Sequence, residues 1–245
     1  MKRLIWDIET SPNVGFFWRS GHEIDVGTHN IITERAIICV CWKWAGEKKV
    51  HSLAWNKGND EKLIKEFIKV LNQADEAIAH NGDRFDLKWF RGRCLYYRVP
   101  MSPKVQTIDT LKESRKLFDL NSHRLNYLGE YLGLGGKEDT GGFDTWRKII
   151  LENDNKALKQ MVKYCKRDVD LLEKVFDVLN PYISSRVHYG AYTNECPECG
   201  SDNVIISKTR ITAGGSKQYQ FKCKDCGKYH SVAASKIDNP KPLDK

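Results

Sequence analysis

Two carboxylates stand one residue apart in the first apolar run of the chain, Leu4-Ile5-Trp6-Asp7-Ile8-Glu9-Thr10. An extended strand projects residues i and i+2 from one face, so Asp7 and Glu9 lie side by side and repel unless a cation sits between them. Two further acids interrupt apolar surroundings: Asp86 follows Phe85 at the start of a helical pattern, and Asp168 comes one turn after Tyr164. The i, i+4 spacing puts Tyr164 and Asp168 on one helix face. Taken singly, an Asp-x-Glu or a Tyr-x3-Asp is ordinary structure. Four carboxylates brought from separate elements suit a pair of hard divalent ions, because Mg²⁺ takes oxygen ligands and leaves room for water and phosphate. Two such ions about 3.5–4 Å apart activate a water and stabilise the leaving oxygen of a phosphodiester.

A second chemistry is written in cysteine. Cys196-Pro-Glu-Cys199-Gly and Cys223-Lys-Asp-Cys226-Gly are two Cys-x2-Cys pairs, each followed by glycine. Four thiolates suit tetrahedral Zn²⁺, and a glycine after each pair lets the backbone turn around the sulfurs. An iron–sulfur centre is the alternative. No nucleophile or base lies among these cysteines, so the ion is expected to be structural, folding a segment too small to bury its own core. The other cysteines, Cys39, Cys41, Cys94 and Cys165, lie singly among apolar residues and read as small buried hydrophobes.

The elements that must position these groups are legible in outline. Lys2–Ile8, Arg35–Trp44 and Lys49–Trp55 read as three strands of an antiparallel meander, with a turn at Ala45–Lys48. Between the first two runs a long connection, Ser11–Thr33, whose Phe16-Phe17-Trp18 would either stack bases or cover the core. Asp60 is placed to cap a helix with Leu63, Ile64, Phe67, Ile68 and Leu71 on its inner face. Ala77–His80 reads as a short strand, Asn81-Gly82 as a turn, and Phe85–Phe90 as a helix start that carries Asp86. Ile108–Thr110 ends another strand, with Asp109 as the cap of the helix that follows. A helix is also expected over Leu125–Leu132, and the longest over about Asp154–Leu179. His80 and His123 are expected to be structural. Asp83 is the weaker rival of Asp86, since no aromatic residue precedes it.

The 245 residues allow one sizeable core and a small appendage. No run approaches the ~20 apolar residues of a membrane span and no signal peptide opens the chain, so a reducing cytoplasm is expected. Net charge is +8, and residues 181–245 hold 10 basic against 6 acidic residues, so a quarter of the length carries half of the excess. That balance favours a polyanionic partner. Arg84, Lys88, Arg91, Arg93 and Arg98 near the second acidic motif are candidates to neutralise phosphates. Lys208, Arg210, Lys217, Lys222, Lys224 and Lys228, interleaved with Tyr219, Phe221 and Tyr229, make the cysteine-bearing tail a second candidate surface. Protein docking is the competing reading of that tail.

Trp6-Asp7-Ile8-Glu9-Thr10, Asn81-Gly-Asp-Arg-Phe85-Asp86 and Tyr164-Cys-Lys-Arg-Asp168 resemble the three motifs of DEDD-superfamily 3′→5′ exonucleases, in the tyrosine-bearing subclass. The second is most similar to the proofreading domain of family B DNA polymerases and to stand-alone exonucleases of phages and bacteria. The likeness covers about residues 1–180, and no polymerase domain follows. It implies a ribonuclease-H-like α/β fold, a mixed sheet flanked by helices, over 1–185, with a zinc ribbon and basic tail over 186–245. It further implies two Mg²⁺ or Mn²⁺ ions on Asp7, Glu9, Asp86 and Asp168, with Tyr164 orienting the attacking water. One structural Zn²⁺ is expected on Cys196, Cys199, Cys223 and Cys226. DNA, single-stranded or at 3′ ends, is the implied partner, within a replication or repair complex. Thr10, Asn81, Phe85, Arg84 and Lys88 are the residues expected to touch it, joined by Lys208, Arg210 and Lys222 of the ribbon. An exoribonuclease, or a non-catalytic nucleic-acid-binding protein on a nuclease fold, are the alternatives.

Overall fold

A computed structural model describes residues 2–19, 21, 26–102, 105–136 and 142–237. Contacts divide the chain into two compact units, Lys2–Val175 and the part that begins at Phe176.

The first unit is organised around the strand that carries Asp7 and Glu9. Strand β1 (Arg3–Thr10) is central in a five-stranded mixed sheet. Around it lie β2 (Val14–Gly15), β3 (Ile31–Thr33), β4 (Ile37–Trp44), β5 (His51–Ala54), β6 (Glu76–Ala79) and β7 (Thr107–Asp109). The sheet order is β5-β4-β1-β6-β7: β4 and β5 run antiparallel to their neighbours, as the meander predicts, while β6 and β7 are parallel. The helices are α1 (Glu61–Leu71), α2 (Asp86–Tyr96), α3 (Thr110–Leu117), α4 (Leu125–Tyr131), α5 (Phe143–Leu151) and α6 (Asn155–Leu179).

Alternation along β1 sends Leu4, Trp6 and Ile8 into a core shared with Val40, Trp42, Leu63, Phe67 and Phe90. Trp6, Phe67 and Phe90 meet at centroid distances of 5.2–6.2 Å. On the other face β1 presents Asp7 and Glu9, and the register sets Cys41 opposite Asp7 and Cys39 opposite Glu9. Helix α6 is fixed to that face by Lys43 of β4, whose buried ammonium lies 3.1 Å from Asp170 and also pairs with Glu173.

Several expectations need correction. Asp60 precedes α1 but makes no side-chain cap. Its fully buried carboxylate instead takes two hydrogen bonds from Arg93, at 2.8 and 2.6 Å, one from Tyr97 at 2.7 Å and one from the Ile37 amide at 2.9 Å. Arg93 is thereby committed to the interior rather than to phosphates. Within the connection 11–33, β2 and β3 pair in a small hairpin. Phe16, Phe17 and Trp18 are exposed and do not cover the core. Cys39, Cys41 and Cys165 are buried but not single, because their sulfurs converge. Asp109 does cap α3, accepting from the Leu111 and Lys112 amides.

The second unit contains β8 (Val204–Ile211), β9 (Lys217–Cys223) and β10 (Tyr229–Ala233) in an antiparallel sheet of order β10-β9-β8, then the short α7 (Ala234–Ile237). The sequence pattern shows only the hairpin; the third strand brings Tyr229 opposite Lys222. Two of the residues read as surface turn inward. Lys228 is buried, donating to the Asn180 carbonyl at 2.6 Å and pairing with Glu198 at 3.4 Å, and Phe221 stacks under His230. No helix among the described residues is long and apolar enough to cross a membrane.

Candidate active site and cysteine centre

The carboxyl end of β1 and one face of α6 supply the acidic group. One carboxylate oxygen each from Asp7, Glu9 and Asp168 lies within 4.8 Å of the others. Asp7 and Glu9 are half-buried and Asp168 is buried. Like charges this close are sustained by a cation, so the donor set fits the hard divalent ions that such oxygens select. Tyr164 lies one helical turn before Asp168 on α6 and is half-buried.

Asp86 stands outside that trio but is tied to it through the backbone. The Ile8 amide, between Asp7 and Glu9, donates to Asp86 Oδ1 at 3.1 Å. Asp86 is the first residue of α2, where the helix dipole favours an anion. Burial nevertheless pushes its carboxyl up to about 7, with the nearby Asp109 charge adding to the rise and the amides of Asp86 and Ile8 opposing it. A buried carboxyl held partly protonated at neutral pH becomes a full anion when a cation arrives. Asp83 is engaged elsewhere: Thr107 donates to it at 2.6 Å, and Lys112 lies 3.7 Å away.

The residues expected to touch a strand surround this end of the sheet. Arg84, Phe85 and Lys88 are exposed at the start of α2. Asn81 adopts a left-handed backbone, φ +67°, with its amide donating to Asp109 at 2.9 Å. Thr10 is half-buried, and its carbonyl accepts from the Trp146 indole at 3.0 Å. Trp146 is the contributor without a sequence signal, since it belongs to a helix that the periodicity does not announce. Asp109, which the sequence favours as a helix cap over a metal ligand, caps α3 and also accepts from the Asn81 and Asp83 amides.

In the second unit the four sulfurs of Cys196, Cys199, Cys223 and Cys226 lie within 4.8 Å of one another. Gly200 and Gly227, immediately after the pairs, have φ of +73° and +76°, a conformation that glycine adopts without strain. Their amides close the knuckles by donating to the carbonyls of Cys196 and Cys223 at 2.9 and 3.1 Å. Four thiols around one point fit a tetrahedral thiophilic ion such as Zn²⁺. Lys208, Arg210 and Lys222 are exposed on β8 and β9.

The profile of the RNase_H superfamily matches residues 25–180. The match begins after β1, so Asp7 and Glu9 are placed by the sheet rather than by the profile. No curated protein matches the chain. Among solved structures it is similar to the family B DNA polymerase from the hyperthermophilic archaeon Pyrobaculum calidifontis, with a TM-score of 0.56 at 16% identity. That similarity covers 74% of this chain and 25% of the polymerase, so the chain spans about a quarter of that protein's length. The shared feature is the RNase H-like fold, a mixed sheet with flanking helices.

Proposed function

The chain belongs to the RNase H superfamily, and on that premise we propose that it is a metal-dependent 3′→5′ exonuclease releasing nucleoside 5′-monophosphates from DNA. The observation that carries this reading is the meeting of Asp7, Glu9 and Asp168 within 4.8 Å, with Asp86 bonded to the backbone between the first two. The four acids would hold two Mg²⁺ or Mn²⁺ ions, which when bound supply a water acidic enough to attack and a counter-charge for the leaving oxygen. Tyr164, of the tyrosine-bearing subclass, would orient the attacking water from α6. Phe85 offers a face for stacking the terminal base, while Arg84 and Lys88 neutralise phosphates behind it. The exposed Phe16-Phe17-Trp18 would offer further aromatic faces for stacking. DNA rather than RNA follows from the likeness to a DNA polymerase, and a replication or repair setting from the same source.

Residues 1–185 form the nuclease on this account, and 186–245 a zinc ribbon and basic tail. One structural Zn²⁺ on the four cysteines holds the ribbon, which grips DNA through Lys208, Arg210 and Lys222. A reducing cytoplasm would keep these thiols available for metal.

Asp7→Ala tests the reading. It should cut Mg²⁺-dependent release of mononucleotides by on the order of 10³-fold or more, the equivalent of several kcal/mol of metal-borne stabilisation, and leave DNA affinity within about two-fold. Wild-type protein that binds DNA but releases nothing with either Mg²⁺ or Mn²⁺ would instead make it a binding protein on a nuclease fold.

A further inference from the structure

The face of the sheet that carries the acids also carries sulfur. Cys41 lies opposite Asp7 and Cys39 opposite Glu9 in the β1–β4 register, and Cys165 projects from α6 beside Tyr164 in sequence. Their three sulfurs lie within 4.8 Å of one another, in side chains with no solvent exposure. Cys165 Sγ approaches Asp7 Oδ2 at 3.6 Å and the Asp7 carbonyl at 3.5 Å. We propose that Cys39, Cys41 and Cys165, with the Asp7 carboxylate as fourth ligand, form a second thiophilic metal site that takes Zn²⁺.

The spacing suits that ion. Zn–S bonds of about 2.3 Å set tetrahedral sulfurs roughly 3.8 Å apart, so shifts of about 1 Å or less bring the three sulfurs around one ion, and Asp7 reaches it from beside Cys165 by rotation of its carboxylate. A soft trio and a hard trio thus lie back to back and share Asp7. Thiolates take Zn²⁺ or Cd²⁺ and leave Mg²⁺ to the oxygens, so the two sets differ in which ion they accept. One carboxylate cannot serve both sites fully, so occupancy by Zn²⁺ would raise the Mg²⁺ requirement of hydrolysis. That consequence rests on the nuclease reading; the binding does not.

The test uses the full-length protein and ¹¹³Cd²⁺ as the probe. Nuclear magnetic resonance should show a protein-bound cadmium signal in the range of three sulfurs and one oxygen, distinct from any four-sulfur signal of the ribbon. A matching rise in thiolate-to-cadmium absorption should saturate at one ion for this site. Cys39→Ala/Cys41→Ala should abolish the mixed-ligand signal and spare the four-sulfur one. A wild-type spectrum lacking the mixed-ligand signal overturns the proposal whether or not that variant folds, and so does a signal that persists in the folded variant. Cadmium loading should raise the Mg²⁺ concentration for half-maximal hydrolysis at least tenfold, and an unchanged requirement removes Asp7 from the ligand set. Protein that hydrolyses nothing under any metal refutes the nuclease reading while leaving the cadmium result to stand or fall alone.

Discussion

Replacing Asp86 by asparagine in magnesium-free buffer should make the protein progressively more stable than wild type as the pH is raised from 5 to 7. The carboxyl is pushed from an ordinary 3.8 up to about 7 by burial, and its Asp109 neighbour adds to the rise. Between those values the folded state holds a proton that the unfolded chain has lost, so wild-type stability falls with pH. A full pH unit inside that window is worth about 1.4 kcal/mol, less near pH 7 where the folded carboxyl is itself half ionised, so the difference between variant and wild type should grow by about 2 kcal/mol from pH 5 to 7. It should level off above pH 7, where both states are ionised. Asparagine keeps an oxygen for the Ile8 amide, so the cost of the substitution itself is small. Urea denaturation at several pH values, without chelator so that the cysteine centre keeps its metal, reads the difference directly. In melting temperature that growth is roughly 4–8 °C for a domain of this size. A variant-to-wild-type difference that stays flat with pH, or shrinks as pH rises, refutes the argument that the site stores uncompensated charge. Added Mg²⁺ should stabilise wild type more than the variant, which keeps Asp7, Glu9 and Asp168, and the gap should be wider at pH 7 than at pH 5.

Other consequences follow from the same side chains. Trp146→Phe removes the donor to the Thr10 carbonyl and should cost about 1 kcal/mol; a melting temperature equal to wild type would show that the bond does not hold the end of β1. Asp60→Ala leaves Arg93 without its buried partner and should cost roughly 3–5 kcal/mol in urea denaturation, whereas a loss below about 1 kcal/mol would mean that water replaces the carboxylate. Changing Lys208, Arg210 and Lys222 together to alanine should flatten the salt dependence of single-strand affinity by about 0.7 in log–log slope for each phosphate that no longer meets a cation. An unchanged slope would assign the ribbon to a protein partner.

The strand order near β1 and the placement of Asp86 were readable because alternation and turn chemistry act locally. Leu4, Trp6 and Ile8 could only face one way, and Asn81-Gly82 had to turn the chain before α2. The α5 helix was not readable: it is nine residues long, follows a glycine-rich stretch, and buries only Thr145 and Ile149. Strand β10 is equally quiet, with Val232 as its one buried residue. Asp60 shows how tertiary structure overrides a local signal, since an aspartate before a helix usually caps it, yet here Arg93 and Tyr97 claim the side chain. The sulfur trio depended on the β1–β4 register and on the rotation of α6, neither of which has a sequence signature. The four-cysteine centre was legible because its geometry is set by spacings of two residues.

The most direct measurement of the central claim is the digestion of DNA oligonucleotides labelled at either end, alongside RNA of the same sequence, in Mg²⁺. A 5′ label should persist in a ladder that shortens one nucleotide at a time, and a 3′ label should appear at once as a nucleoside 5′-monophosphate, with RNA cut far more slowly. Internal fragments, loss of the 5′ label first, or equal digestion of RNA would contradict a 3′→5′ exonuclease specific for DNA.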